Sequence, residues 1–194
     1  MNLPNKLTML RIIMVPCFVV FMMLEGSAYY TLAALILFAA ASLTDMLDGQ
    51  IARKHNLVTN FGKLMDPLAD KVLVMSAMIC FVAKSFAPAW IVIVILAREF
   101  LVTSLRLIAV GEGVVIAADK WGKIKTVTQM FWIIWTLLWL CVIGFGAFNG
   151  SADQSAAAVG YIISDVLMYA SVFFTLLSGF NYVYKNRQLM FSDM

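Results

Sequence analysis

The chain has 194 residues, of which 63% are hydrophobic and only 13% are charged. A soluble domain of this size is about half apolar and about a quarter charged, so the composition excludes an ordinary soluble globular protein. The net charge of +3 is small, and no nucleic-acid partner is expected. The length suffices for about six membrane spans of roughly 20 residues in one integral-membrane domain, residues 1–194.

Six apolar stretches predict six transmembrane helices, and hence an all-α, polytopic membrane fold. They lie near residues 7–24, 29–50, 67–84, 88–109, 124–147 and 156–182. A basic segment precedes the first stretch, but no small-residue cleavage site follows it. We therefore expect a retained helix rather than a signal peptide.

The positions of the lysine and arginine residues predict how these helices are oriented. With six spans, nearly all of these cations fall on one side of the membrane, and only Lys84 falls on the other. Cytoplasmic loops carry an excess of Lys and Arg. We therefore expect a multi-pass protein with both termini in the cytoplasm. Residence in the cell (inner) membrane is expected on the presumption of a bacterial source.

Four carboxylates lie at the predicted cytoplasmic ends of the second and third helices. Asp45 and Asp48 continue the second helix at a spacing that places both on one helical face. Asp66 precedes Pro67 and is predicted to be the N-cap of the third helix, with Asp70 one turn further along the same face. Acids at such positions are costly, so a functional role is the default interpretation.

The type and number of these ligands predict a site for two divalent cations at the cytoplasmic face. Four like charges within 26 residues would repel each other or take up protons without a bound cation. Hard oxygen ligands suit Mg²⁺ or Mn²⁺, and four acids exceed the one or two that usually hold a single Mg²⁺. Paired ions of this kind stabilise both the attacking and the leaving oxygen in phosphoryl transfer. The predicted metal ligands are Asp45, Asp48, Asp66 and Asp70.

Three neighbours of these acids suit a phosphate or nucleotide ligand. Gly49 and Gly62 lack side chains where a bulky phosphate group would approach the backbone. Arg53 lies about one turn after Gly49 and offers a planar fork for phosphate. For single acids a structural role is the alternative: Asp66 could be only a helix cap, and Asp45 or Asp48 could pair with Arg53 or Lys71.

The complete pattern resembles the signature of the CDP-alcohol phosphatidyltransferases: Asp-x-x-Asp-Gly-x-x-Ala-Arg, eight residues, then Gly-x-x-x-Asp-x-x-x-Asp. Every fixed position is met, at Asp45, Asp48, Gly49, Ala52, Arg53, Gly62, Asp66 and Asp70. The resemblance covers nearly the whole chain, since the family core also has six transmembrane helices. Three further segments resemble the branch that forms phosphatidylglycerol phosphate: residues 3–8 with Arg11, residues 97–100 with Arg106, and residues 120–126.

The resemblance implies transfer of a phosphatidyl group from CDP-diacylglycerol to sn-glycerol 3-phosphate, with release of CMP. It also implies a homodimer. Both substrates and the membrane lipid would meet the site at the cytoplasmic face. By analogy, the four aspartates hold two divalent ions, and Asp70 is the catalytic general base toward the acceptor hydroxyl. The implied donor and nucleotide site consists of Asn5, Thr8, Asp48, Gly49, Ala52, Arg53, Gly62 and Asp66.

The acceptor would need a basic pocket beside the metals, because glycerol 3-phosphate is a soluble dianion. The candidates are Arg98, Arg106, Lys120 and Lys123. Arg98 follows a continuous aliphatic run, which favours a substrate or buried-partner role. Glu99 projects about 100° around the helix from Arg98. It is expected to anchor another helix or a supporting group rather than to share the direction of Arg98. Asp165 has no evident role.

Two alternatives stay open. The first keeps the chemistry but uses another acceptor, such as inositol phosphate, serine or phosphatidylglycerol; an uncharged or zwitterionic one would need fewer cations near Arg98 and Arg106. The second is a divalent-cation transporter lined by acids. The transporter hypothesis leaves Gly49, Arg53 and Gly62 without a purpose, and the sequence contains no matching polar path through the outer half.

Overall fold

The computed structural model describes the backbone of residues 3–54, 60–112, 119–146 and 154–187. The described side chains are those of residues 5–44, 65, 68–112, 119–146 and 157–187. Within the described backbone, six α-helices account for almost every residue, and no strand is present. The helices are α1 (Leu3–Met23), α2 (Ala28–Lys54), α3 (Asn60–Ala83), α4 (Ala89–Gly111), α5 (Lys120–Gly144) and α6 (Gln154–Lys185).

Each predicted apolar stretch coincides with one of these helices, which confirms the all-α prediction. Within the described part of the chain, three segments are long and apolar enough to cross a membrane: Asn5–Met23, Lys120–Gly144 and Ala157–Lys185. Helix α4 is 23 residues long but carries Arg98, Glu99 and Arg106. The structure thus supports a membrane protein, whereas six membrane spans stay a prediction.

The start of α3 corrects one prediction. Asp66 is not an N-cap, because α3 begins at Asn60 and the Asp66–Pro67 pair lies inside the helix. Residues 63–65 are Lys, Leu and Met, which favour helical backbone, and a helix can bend around an internal proline. The spacing is unaffected, since Asp66 and Asp70 still lie one turn apart on the same helix.

A core of fully buried aromatic side chains positions the helices that carry the acidic signature. The Phe18 ring of α1 lies 5.8 Å from the Phe38 ring of α2, measured between centroids. The Phe81 ring of α3 lies 5.8 Å from the Trp132 ring of α5. All four residues have zero exposure, so each ring is completely removed from solvent and stabilises the core.

The surface of the bundle carries large apolar side chains. Phe100 and Leu107 on α4 are 64% and 74% exposed, and Phe180 on α6 is 76% exposed. Exposed apolar surface of this extent is rare on soluble monomers and suits contact with lipid.

Helices α5 and α6 run antiparallel, as a cluster around Asp119 demonstrates. Asp119 caps α5 by accepting a hydrogen bond from the Lys120 backbone N–H at 2.9 Å. It also accepts hydrogen bonds from Asn181 and, at 3.4 Å, from Lys185 at the end of α6. Desolvation opposes ionisation of Asp119, but these hydrogen bonds outweigh it and lower the pKa of the carboxyl below its ordinary value. The ionised carboxylate therefore joins the two helix ends.

Candidate active site

The four aspartates of the signature lie on two helices that both pack against α1. Asp45 and Asp48 are in α2, and Asp66 and Asp70 are in α3. The part of the chain whose side chains are described contains no group of three or more metal-ligating residues. Several predicted site residues have side chains outside that part, and their roles stay predictions: Asp45, Asp48, Gly49, Ala52, Arg53, Gly62 and Asp66.

Asp70 lines a cavity of about 260 Å³ between α2, α3, α4 and α5. The Asp70 side chain is exposed to this space. Ser42 of α2 lines the same cavity and precedes Asp45 by three residues, about one helical turn. The cavity therefore adjoins the helical segments that carry the acidic signature.

The cavity has a charged end and an apolar end. The charged lining residues are Asp70, Lys71, Glu99 and Lys125, and the apolar ones are Val74, Met75, Met78 and Met130. Gln129 lies at the lining too, where its Nε2 donates a hydrogen bond to the Met78 Sδ at 3.3 Å. Methionine adapts readily to irregular ligand shapes. The cavity is therefore suited to an amphipathic ligand with a polar head.

A buried ion cluster forms the wall of this cavity. The Glu99 Oε1 accepts a hydrogen bond from the Lys125 Nζ at 2.7 Å and from the Arg98 Nη1 at 2.8 Å. The Arg98 Nη2 also donates to the Ser178 Oγ. The side chains of Lys125, Arg98 and Glu99 are only 5%, 12% and 17% exposed. The cluster thus joins α4, α5 and α6, and it agrees with the prediction that Glu99 anchors another helix.

The same cluster corrects the expectation that Glu99 and Arg98 point apart. Their Cα positions are separated by about 100° around the helix, but both side chains are long enough to bend toward each other. Helix α6 leaves room for the arginine, because a Cβ at Gly179 would lie 3.1 Å from the Arg98 Cγ. Arg98 and Glu99 pair because an uncompensated charge at this buried position would be costly.

The comparison with known families decides the identity of the fold. The family model of the CDP-alcohol phosphatidyltransferases matches residues 1–177 of this chain. The chain belongs to the CDP-alcohol phosphatidyltransferase family. The resemblance that the acidic signature indicated is thereby confirmed.

Individual relatives in the family are similar along most of their length. The chain is 43% identical over 196 residues to the CDP-diacylglycerol–glycerol-3-phosphate 3-phosphatidyltransferase of Bacillus subtilis, with 95% of each chain covered. A protein of the same name from Rickettsia typhi is 36% identical over 181 residues, covering 93% of this chain and 94% of the relative. Another from Treponema pallidum is 37% identical over 153 residues, covering 77% and 70%.

Two of the donor-site residues predicted from this family, Asn5 and Thr8, are buried on α1 with exposures of 8% and 0%. Arg11 continues the same three-residue spacing and is fully buried. The Arg11 Nε donates a hydrogen bond to the Ala41 carbonyl oxygen at 3.2 Å, and Ala41 lies one turn before Asp45. The polar face of α1 therefore meets α2 beside the family signature. The nucleotide-binding roles of Asn5 and Thr8 stay predictions.

The predicted acceptor residues do not line the cavity of Asp70 within the described structure. Arg98 is turned toward Glu99, and the Arg106 Nε donates a hydrogen bond to the Tyr182 Oη at 3.2 Å. The guanidinium of Arg106 also lies 5.6 Å from the centroid of the Tyr182 ring. Lys120 and Lys123 are exposed in the first turn of α5. Their role in acceptor binding stays a prediction.

Lys125 is a cavity cation that the sequence analysis missed. It is 4% exposed, and it lines the cavity together with Asp70. The signal that could have identified it is the periodicity of α5, in which Lys125, Gln129 and Trp132 recur every three or four residues on the buried face. A lysine on such a stripe is directed inward, unlike Lys120 and Lys123.

Glu99→Gln should destabilise the protein strongly, because Arg98 and Lys125 would lose the shared carboxylate that compensates their charges. We expect a loss toward the lower end of the roughly 3–5 kcal/mol seen when one partner of a buried ion pair is removed. Unfolding of the purified protein in detergent, followed by circular dichroism, measures this loss.

Asp119→Asn is the matched control for this substitution. Its partner Lys185 has a side chain that is 60% exposed, and asparagine caps a helix as well as aspartate does. The control should lose no more than about 1 kcal/mol. Equal losses in the two variants would contradict the buried cluster.

Proposed function

We infer that the protein transfers the phosphatidyl group of CDP-diacylglycerol to sn-glycerol 3-phosphate, giving phosphatidylglycerophosphate and CMP. The observation that carries this inference is the 43% identity to the Bacillus subtilis enzyme named for this reaction, over 95% of both chains. The acidic signature of the family, complete from Asp45 to Asp70, supports it.

The cavity beside Asp70 suits this reaction in shape and polarity. CDP-diacylglycerol has a charged pyrophosphate head and two apolar chains, which correspond to the charged and apolar ends of the cavity. The Asp70 carboxylate would serve there as the base that a hydroxyl nucleophile requires. The acceptor oxygen would bond to the phosphorus that carries diacylglycerol while its proton passes to Asp70. The phosphorus–oxygen bond to CMP would break, and CMP would leave with the electron pair.

We propose two divalent cations, Mg²⁺ or Mn²⁺, as cofactors, held by Asp45, Asp48, Asp66 and Asp70. The donor set fits such ions, because it consists of hard carboxylates on two helices and the Asp70 side chain is exposed to the cavity. When bound, these ions would neutralise charge on the donor pyrophosphate. Arg53 would add a further positive charge for the donor.

Lys125 is our addition to the proposed acceptor site. It lies at the charged end of the cavity beside Asp70, and its Nζ is held by the Glu99 carboxylate at 2.7 Å. Since Glu99 also binds Arg98, the cluster of two cations and one anion keeps one net positive charge. A low-dielectric wall strengthens the attraction of that charge for the phosphate dianion. Arg106, Lys120 and Lys123 stay candidates for attracting the acceptor from the cytoplasm.

The membrane setting and assembly are part of the same proposal. We propose six membrane-spanning helices from the six apolar stretches, and cytoplasmic termini and a cytoplasmic active site from the lysine and arginine distribution. Residence in the cell membrane is proposed on the presumption of a bacterial source. The apolar side chains exposed on α4 and α6 are consistent with lipid on those faces. A homodimer is proposed on the family resemblance.

An acceptor panel tests the proposed function. Purified protein in detergent is supplied with CDP-diacylglycerol and either glycerol 3-phosphate, inositol phosphate, serine or phosphatidylglycerol, and CMP release is followed with and without Mg²⁺ or Mn²⁺. We expect metal-dependent CMP release with glycerol 3-phosphate. Release only with another alcohol would contradict the acceptor but not the family chemistry, and no release with any alcohol would contradict both.

Lys125→Gln should raise the KM for glycerol 3-phosphate more than the KM for CDP-diacylglycerol. A change of at least about tenfold is expected, because a charged hydrogen bond to phosphate contributes about 1.5–3 kcal/mol. Lys120→Gln, which removes an exposed lysine from the same helix, should have a smaller effect. Initial rates with each substrate varied in turn measure both constants. A larger acceptor effect from Lys120→Gln would return the phosphate site to the residues predicted from the sequence.

A further inference from the structure

A second cavity, of about 310 Å³, lies at the opposite end of the bundle from Asp70. It is formed by the α3–α4 connection together with α5 and α6. The lining residues that matter here are Phe86, Thr136, Trp139, Tyr161, Ser164 and Asp165. This volume falls at the lower end of the roughly 300–1,000 Å³ typical of small-molecule sites. The proposed transferase reaction uses none of these residues.

Three aromatic rings form adjoining walls of this cavity. The Trp139 and Tyr161 rings meet edge to face, with centroids 6.5 Å apart and an interplanar angle of 85°. The Phe86 ring is nearly parallel to the Tyr161 ring, with an angle of 13° and centroids 6.4 Å apart. Aromatic rings that wall a cavity are the feature by which aromatic cages attract organic cations.

The position of Trp139 is set by an unusually close helix contact. A Cβ at Gly160 would lie 1.9 Å from the Trp139 Cε2, so the indole can occupy this place only against a glycine. The neighbouring Trp135 Nε1 donates a hydrogen bond to the Gly160 carbonyl oxygen at 3.1 Å. The Trp135 ring is nearly parallel to the Trp139 ring, at an interplanar angle of 4°. The aromatic wall is therefore held rigidly between α5 and α6.

Asp165 adds a carboxylate to the aromatic walls. It follows Tyr161 by one turn of α6, and both residues line the cavity. Within the described ranges, Asp165 has neither a hydrogen bond nor an ion pair, and Lys84 in the nearby connection does not reach it. Two of the neutral polar groups of the cavity, the Thr136 and Ser164 hydroxyls, are already engaged, because they hydrogen-bond to each other at 2.7 Å.

The aromatic walls and the single carboxylate favour an organic cation over a metal ion as the ligand. A metal ion such as Ca²⁺ or Mg²⁺ needs about six oxygen ligands, whereas the cavity offers one carboxylate and a few hydroxyls, two of which already bond to each other. An organic ammonium ion is attracted by both aromatic rings and a carboxylate. We propose that this cavity binds a small organic ammonium ion, either the amine of a lipid headgroup or a soluble amine.

Tetramethylammonium chloride is the probe that tests the proposal. Purified protein is placed in nanodiscs of phosphatidylglycerol, which contain no amine, and saturation-transfer NMR of the probe's methyl protons is recorded during a titration. We expect saturable binding of the probe that an equal concentration of sodium chloride does not displace. Asp165→Asn should weaken binding at least about tenfold, as the loss of a charged partner predicts.

Two further variants keep the result interpretable. Glu25→Gln removes an exposed acid from the turn after α1, away from the cavity, and should leave the affinity unchanged. Trp139→Leu removes an aromatic wall and should weaken binding even if Asp165→Asn fails to fold. Circular dichroism melts establish which variants are folded.

The source of the ammonium group is distinguished by repeating the titration in nanodiscs that contain phosphatidylethanolamine. A weaker apparent affinity for the probe there would support the lipid amine as the occupant, and an unchanged affinity would support a soluble amine. Absence of saturable binding to the wild type overturns the proposal. So does an affinity that is unchanged in folded Asp165→Asn, or in folded Trp139→Leu should Asp165→Asn not fold.

Discussion

The arrangement around the active site depends on how a charged side chain is accommodated within an apolar bundle. Glu99 solves this by sharing one carboxylate oxygen between Arg98 and Lys125, at 2.8 and 2.7 Å. The shared carboxylate joins α4 to α5, and Arg98 extends the link to Ser178 of α6. Removal of one partner from such a cluster is costly, because it leaves a buried charge uncompensated. The cluster therefore holds the three helices together beside the cavity that Asp70 lines.

Beside this cluster, α1 plays the complementary part for α2 and α3. It packs against both helices, and the buried Arg11 guanidinium reaches the Ala41 carbonyl one turn before Asp45. The aromatic contact of Phe18 with Phe38 secures the apolar half of the same interface. The rigid apolar half of the bundle thus supports a polar half in which the family signature, the cavity and the ion cluster lie side by side.

The sequence was sufficient for the helices and the family because these depend on local patterns: apolar runs of membrane length and eight residues at fixed spacing. The sequence was insufficient where a helix extends beyond its apolar run, and where contacts between residues distant in the chain determine the surroundings of a side chain. The N-cap predicted at Asp66 is wrong because α3 continues through the proline to Asn60. The periodicity of α5 marks Lys125 as buried, but its pairing with Glu99 was not predictable because Glu99 lies 26 residues away on another helix. The cavity at Asp165 escaped prediction for the same reason, since its aromatic walls come from three parts of the chain.

The central claim is that α2 and α3 bring their acids to one site beside the Asp70 cavity. Binding of Mn²⁺ to purified protein in nanodiscs, counted by electron paramagnetic resonance, tests it most directly. The account predicts two bound Mn²⁺ ions per chain, a marked loss of affinity in Asp70→Asn, and unchanged binding in Asp165→Asn at the opposite end of the bundle. Mn²⁺ binding that is absent from the wild type, or equal in the wild type and Asp70→Asn, would contradict it.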